Sequence, residues 1–130
     1  MSAVPIIRID GLTKCFGAVE VLKGVNVDIL EDEIFGFLGT NGAGKSTTIN
    51  IMTNQITADS GAIEIAGRPI SNETNRMIGL APQEIALYPH LSVRENLNFF
   101  AGVYGLRGGV RRRQVARILD ELKLRRLQKN

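Results

Sequence analysis

Between Gly39 and Thr47 the chain reads Gly-Thr-Asn-Gly-Ala-Gly-Lys-Ser-Thr, a run that fits the spacing G-x-x-x-x-G-K-S/T. The chemistry open to such a run is the capture of a polyphosphate. A triphosphate needs many N–H donors in a small volume, and a loop supplies them only if its backbone curls around the anion. Gly39, Gly42 and Gly44 permit the backbone angles and the close approach that a Cβ would obstruct. Amides from Gly42 to Thr47 would then point inward, and a helix opening near Gly44 would add the positive end of its dipole. Lys45 would set an ammonium on the β- and γ-phosphates, and the Ser46 hydroxyl is a hard oxygen ligand for Mg2+. Thr47 would donate its amide to the α-phosphate. The bland alternative is a glycine-rich turn with a solvent-facing lysine; the flanking sequence argues against it.

Those flanks are the elements that must position the loop. Ile34 to Leu38 is apolar apart from Gly36, as expected of a strand covered on both faces, and it runs straight into Gly39. A helix is expected from Gly44 to about Asn54. Upstream, Pro5 to Asp10 and Val21 to Ile29 read as strands, the second with Val25, Val27 and Ile29 alternating with polar residues. Downstream, Asp59-Ser60-Gly61 signals a turn and Ala62 to Ala66 a strand; Met77 to Ala81 is a short apolar run stopped by Pro82. Ser92 as N-cap with Glu95 three residues on opens a helix from Val93 to about Tyr104. Beyond Gly105, Gly108 and Gly109, the spacing of Val115, Ile118, Leu119 and Leu122 predicts an amphipathic helix.

Composition narrows the function classes. A chain of 130 residues supports one domain or a piece of a larger one, and 44% hydrophobic with 22% charged residues is globular usage. With no tryptophan and 5% aromatics, recognition of nucleic acid by stacking has little to draw on. Cys15 is the one cysteine, so an intrachain disulfide or a cysteine-rich zinc site is excluded, and it is read as inert packing. The apolar stretches fall short of the ~20 residues of a membrane-spanning helix, and Met1 to Asp10 lacks the features of a secretory signal. Cytoplasmic residence is the expectation. The net charge of +3 conceals an asymmetry: residues 1–110 carry −3 and residues 111–130 carry +6. A nucleic-acid partner is not expected. The run Arg111-Arg112-Arg113, continued by Arg117, Arg125 and Arg126, is read as a solvated helix face. His90 is read as a surface or capping residue.

Glu33 to Thr48 resembles the phosphate loop of ABC-transporter ATP-binding subunits. Leu12-Thr13-Lys14-Cys15-Phe16-Gly17 is similar to that family's adenine-stacking loop, with Phe16 standing 29 positions before Lys45. Leu80-Ala81-Pro82-Gln83-Glu84 resembles its Q-loop, with Gln83 standing 38 positions after Lys45. Leu87 to Leu97 is similar to the start of the family's helical subdomain, in the flavour of exporter-type subunits handling drugs, sodium or polysaccharides. The resemblance covers nearly the whole chain and implies an α/β fold, a P-loop NTPase with an incomplete ABC ATPase core and the start of the helical subdomain. It implies a core part over residues 1–91 and a helical part over 92–130.

Carried over position by position, the resemblance implies that ATP is contacted by Phe16, Asn41, Gly42, Ala43, Gly44, Lys45, Ser46 and Thr47. Mg2+ would be held by Ser46 and Gln83, and Lys45 and Gln83 would serve catalysis, Gln83 through the metal and the attacking water. The implied partners are transmembrane permease subunits and a second nucleotide-binding subunit, at the cytoplasmic face of a membrane. Asp32 stands where the family usually has glycine, and Thr40 replaces a frequent proline. No apolar strand ending in Asp-Glu follows the loop, and no Ser-Gly-Gly signature or later switch histidine is present. The chain is therefore read as an N-terminal fragment of such an ATPase, poor at hydrolysis, marginally stable and prone to associate through the edge beside Ile34–Leu38. The alternatives are a binding-only regulatory module, or a GTPase or nucleotide kinase; the absence of an Asn-Lys-x-Asp motif speaks against a GTPase.

Overall fold

A computed structural model describes residues 4–84 and 86–127. Its internal contacts separate a first unit, Met1–Leu80, from a second, Ala81–Asn130. In this division Gln83 and the segment around Tyr88 group with the helices.

In the first unit, β1 (Ile7–Phe16) and β2 (Val19–Ile29) form an antiparallel hairpin. Gly17, with φ 60°, takes the first central position of its two-residue turn, where a side chain would be disfavoured. β3 (Ser60–Ile65) pairs with the other edge of β1, and the short β4 (Arg68–Pro69) follows, giving the order β2-β1-β3-β4. The segment expected as an aromatic-bearing loop, Leu12 to Phe16, is thus the end of β1, and β3 begins inside the expected turn at Ser60. α1 (Lys45–Met52) lays Thr48 and Ile51 against the sheet. Ile51 is fully buried among Ile9, Leu12, Leu22 and Ile63. Burying a side chain of that size contributes about 2–3 kcal/mol.

The expected buried strand Ile34–Leu38 does not form. The segment belongs to no ladder, and Ile34 and Leu38 are almost wholly exposed, at 101% and 94%. An apolar run becomes a strand only where a neighbour offers its N–H and C=O groups. Here β1 to β4 pair among themselves. One face does find cover: Phe37 packs on the core cluster, with Phe35 edge-on to it at 5.3 Å. Of the apolar run Met77 to Ala81, Met77 closes a 3-10 turn over Thr74–Met77 and the rest belongs to no helix or strand. Cys15, expected to be packed, is exposed.

In the second unit, α2 (Val93–Val103) and α3 (Gly108–Glu121) follow the sequence pattern closely. Ser92 and Glu95 form the expected capping box: the Ser92 amide donates to Glu95 Oε2 at 2.8 Å, and the Glu95 amide to Ser92 Oγ at 3.3 Å. Val115 and Leu119 are buried, whereas Leu122, just past the end of α3, is exposed. The arginine run is a solvated face in the main. Arg117 pairs with Glu121 and Arg125 with Asp120, while Arg111 is half-buried and donates to Asn98 Oδ1 at 3.0 Å. Among the described residues, no helix is long and apolar enough to cross a membrane.

Candidate phosphate-binding site

The loop between Phe37 and α1 contains three glycines with positive φ, Gly39 at 158°, Gly42 at 86° and Gly44 at 84°. Gly42 faces open space, so its requirement is conformational alone. Gly44 is the N-cap of α1 and is buried against β2: a Cβ there would fall 2.4 Å from Leu22 Cδ2 and 3.1 Å from Val21 O. The hairpin therefore seats the start of the helix directly. Thr48 locks the first turn from inside, its amide and hydroxyl both donating to Gly44 O at 2.8 and 3.0 Å.

No side chain caps α1. The amides of Lys45, Ser46 and Thr47 are in the first turn, where a helix offers no internal acceptor. Lys45 is half-buried, and its Nζ donates to Gly39 O and Thr40 O, each at 2.7 Å. The ammonium is thereby folded back across the loop that precedes it. The Ala43 amide donates to Thr40 O at 3.1 Å, closing a tight turn over Thr40 to Ala43 with Asn41 and Gly42 exposed at its tip. Ser46 is exposed on the first turn. Uncapped amides, an ammonium and a hydroxyl thus converge on one loop, and this donor set suits a polyphosphate carrying its own magnesium. Among the described residues there is no group of three or more His, Cys, Asp or Glu side chains that could hold a metal.

Phe16 closes β1 opposite Val19 and is half-exposed. Two residues earlier, Lys14 pairs with Leu22, the residue that seats Gly44. The aromatic and the loop are therefore tied to the same hairpin. Gln83 lies exposed in a bend after Pro82, in the second unit. His90 is exposed in a turn.

Two features were not foreseen from sequence. Asp59 accepts from Lys14 Nζ at 2.8 Å and from the Cys15 amide at 2.6 Å, so its carboxyl titrates below the ordinary aspartate range, chiefly through the Lys14 hydrogen bond. The signal available was a lysine at i and an exposed aromatic at i+2, positions that share a strand face. In the second unit, Asn96 is buried at the foot of the Leu87–Leu91 segment; its Oδ1 accepts from the Tyr88 amide, and its Nδ2 donates to the Tyr88 and Leu91 carbonyls.

The family pattern described as ABC transporter matches residues 22–130. The linearmycin resistance ATP-binding protein LnrL of Bacillus subtilis is 40% identical over 118 residues, which are 88% of this chain and 38% of that protein. The ribose import ATP-binding protein RbsA of Yersinia pestis is 39% identical over 132 residues, 94% of this chain and 26% of that one. Among solved structures, cbiO1 of Clostridium perfringens, part of the ABC transporter complex cbiONQ, superposes with a TM-score of 0.84 at 26% identity, covering 97% of this chain and 53% of its own. The chain thus spans 38% of LnrL and about half of cbiO1. With the family pattern running from β2 through α3 and the phosphate-type loop inside it, this α/β chain belongs to the ABC transporter family, in its ATP-binding domain.

Proposed function

We propose that the chain holds MgATP on the loop Gly39–Thr47, as the nucleotide-binding part of a transporter motor. The observation that carries this is the Gly44 junction, where β2 seats an uncapped helix start beside the folded-back Lys45 ammonium. Lys45 exchanges its two carbonyl acceptors for the β- and γ-phosphates, and the first-turn amides take the α- and β-phosphates. Ser46 supplies an oxygen to magnesium, Asn41, Gly42 and Ala43 wrap the loop tip around the phosphates, and Phe16 takes the base. Gln83 is assigned to the metal and the attacking water on its resemblance to the family's Q-loop. Sustained hydrolysis needs a further carboxylate at a strand end after the loop, and these 130 residues offer none in that position; the chain by itself binds nucleotide without efficient turnover.

In the working transporter, the domain pairs with a second nucleotide-binding subunit and docks on membrane-spanning permease subunits at the cytoplasmic face. An apolar cavity of about 430 Å3 in the second unit, lined in part by Leu87, Tyr88, Leu91, Leu97 and Phe100, supports a protein partner there. The export direction is supported by the Leu87–Leu97 segment and by the resistance function in the name of LnrL. Import has its own support in the comparable identity to RbsA.

Calorimetric titration with MgATP and with magnesium tripolyphosphate tests the binding site. Both are expected to bind, and Lys45→Ala should weaken both by roughly tenfold or more, since a hydrogen bond to a charged group is worth about 1.5–3 kcal/mol. Absence of heat from either ligand with the folded parent chain refutes the reading.

A further inference from the structure

Phe16 is not an isolated ring at a strand end. Asp59, the residue before β3, is stitched to the end of β1 by three hydrogen bonds of its own. Its amide donates to Thr13 O at 3.0 Å, its Oδ2 accepts from the Cys15 amide at 2.6 Å, and its Oδ1 accepts from Lys14 Nζ at 2.8 Å. Next to it, Ser60 Oγ and Thr13 Oγ1 lie 2.7 Å apart in a further hydrogen bond. The Lys14 side chain is mostly covered, at 16% exposure, and its ammonium lies over the Phe16 ring, 5.6 Å from the centroid. A cation held against one face of an aromatic ring fixes the plane of that ring and leaves the opposite face to a second stacking partner. Phe16 remains half-exposed, so that opposite face has access to a ligand.

Resting on the nucleotide reading of the loop, we propose that Lys14 and Asp59 are positioning residues for the base: Asp59 anchors Lys14, and Lys14 orients the Phe16 ring so that one face stays open to stack on the nucleobase. The path to the phosphates is short. Lys14 sits opposite Leu22, whose side chain abuts Gly44 at the head of α1. The ring is two residues further along the strand, roughly 7 Å at the usual strand rise. A nucleotide with its phosphates on the loop therefore has its base within reach of Phe16. Stacking on an aromatic face is tolerant of base identity, so this device strengthens binding of the nucleoside end without selecting strongly between purines.

The test compares MgATP with magnesium tripolyphosphate, which has the phosphates and no base, on the full chain by calorimetry. Lys14→Met keeps the aliphatic stem and removes the charge; it is expected to weaken MgATP roughly five- to tenfold and to leave tripolyphosphate unchanged. Lys14→Arg should restore MgATP to within about twofold, because guanidinium can keep both the carboxylate and the ring contact. On a Phe16→Leu background, Lys14→Met should cause no further loss. A decrease of MgATP and tripolyphosphate together, an unchanged MgATP affinity, or a full Lys14 effect without the aromatic ring would each overturn the proposal. A parent chain that binds neither ligand overturns the loop reading as well, and a parent that binds both with Lys14→Met silent overturns this inference alone. Asp59→Asn should reproduce the Lys14→Met pattern, and each variant's thermal transition verifies that it is folded.

Discussion

Leu22 Cδ2 occupies the space that a side chain on Gly44 would need, so the hairpin and the head of α1 are fitted to one another at a glycine. Gly44→Ala must shift Leu22 and force an alanine into a left-handed conformation at φ 84°. The two effects together should destabilise the first unit by about 2–5 kcal/mol. Denaturant midpoints measure this. Leu22→Ala, costly in the parent chain because Leu22 is core, should cost less on top of Gly44→Ala, because there it also reopens the occupied volume.

Asp32 presents the opposite case. It has φ 60° in the turn from Leu30 to Glu33, which Glu33 closes by donating its amide to Leu30 O and accepting the Leu30 amide at Oε2. A left-handed residue at this position is the one a turn would fill with glycine, the residue that the family usually has here. Asp32→Gly should therefore raise stability by about 0.5 kcal/mol, while Asp32→Val should lower it by more than about 1 kcal/mol. Thermal unfolding of the two variants would reveal the opposite signs.

Asn96 holds the segment between Gln83 and α2 by main-chain hydrogen bonds at Tyr88 and Leu91. Replacing it with alanine leaves the Tyr88 amide without its acceptor in a partly buried position, at a cost of about 1–3 kcal/mol. Tyr88 packs edge-on to Phe99 at 4.7 Å, so the near-ultraviolet circular dichroism should lose tyrosine signal in Asn96→Ala. Deuterium exchange at the Tyr88 amide should accelerate.

The capping box sets a pH dependence. Glu95 accepts hydrogen bonds from the Ser92 hydroxyl and then the Ser92 amide, which hold its carboxyl below the ordinary glutamate range. A depressed folded-state pKa means that the cap is fully present above the ordinary range and is lost as pH falls through the lower folded value. Carboxyl resonances of Glu95 should titrate low in the parent chain and return toward the ordinary range in Ser92→Ala. A Glu95 resonance that does not move on that substitution contradicts the capping assignment.

What could be read from sequence was local. The backbone turns at Gly42 and Gly44 and the Ser92–Glu95 pair are determined within one loop or one helical turn, and the helix start at Lys45 and the capping box both form as expected. The Val115–Leu119 stripe is buried for the same reason. Ile34–Leu38 departs from the expected strand because its apolar content describes a strand's faces, whereas strand formation depends on an edge provided by some other segment. Lys14 and Asp59 escaped notice because they are 45 positions apart and meet only through the pairing of β1 with β3. Asn96 looked like one polar residue among several on α2; its role depends on where the Leu87–Leu91 segment folds back.

The missing ladder at Ile34–Leu38 bears on how the phosphate loop is held. Among the described residues no backbone hydrogen bond ties this segment to a neighbour, and Phe37 is its hold on the core. The loop is therefore moored at two places, where Gly44 meets Leu22 and where Lys45 Nζ holds the Gly39 and Thr40 carbonyls. A triphosphate that draws Lys45 off those two carbonyls would release the Gly39 end, so its own contacts with the loop tip would have to replace that mooring.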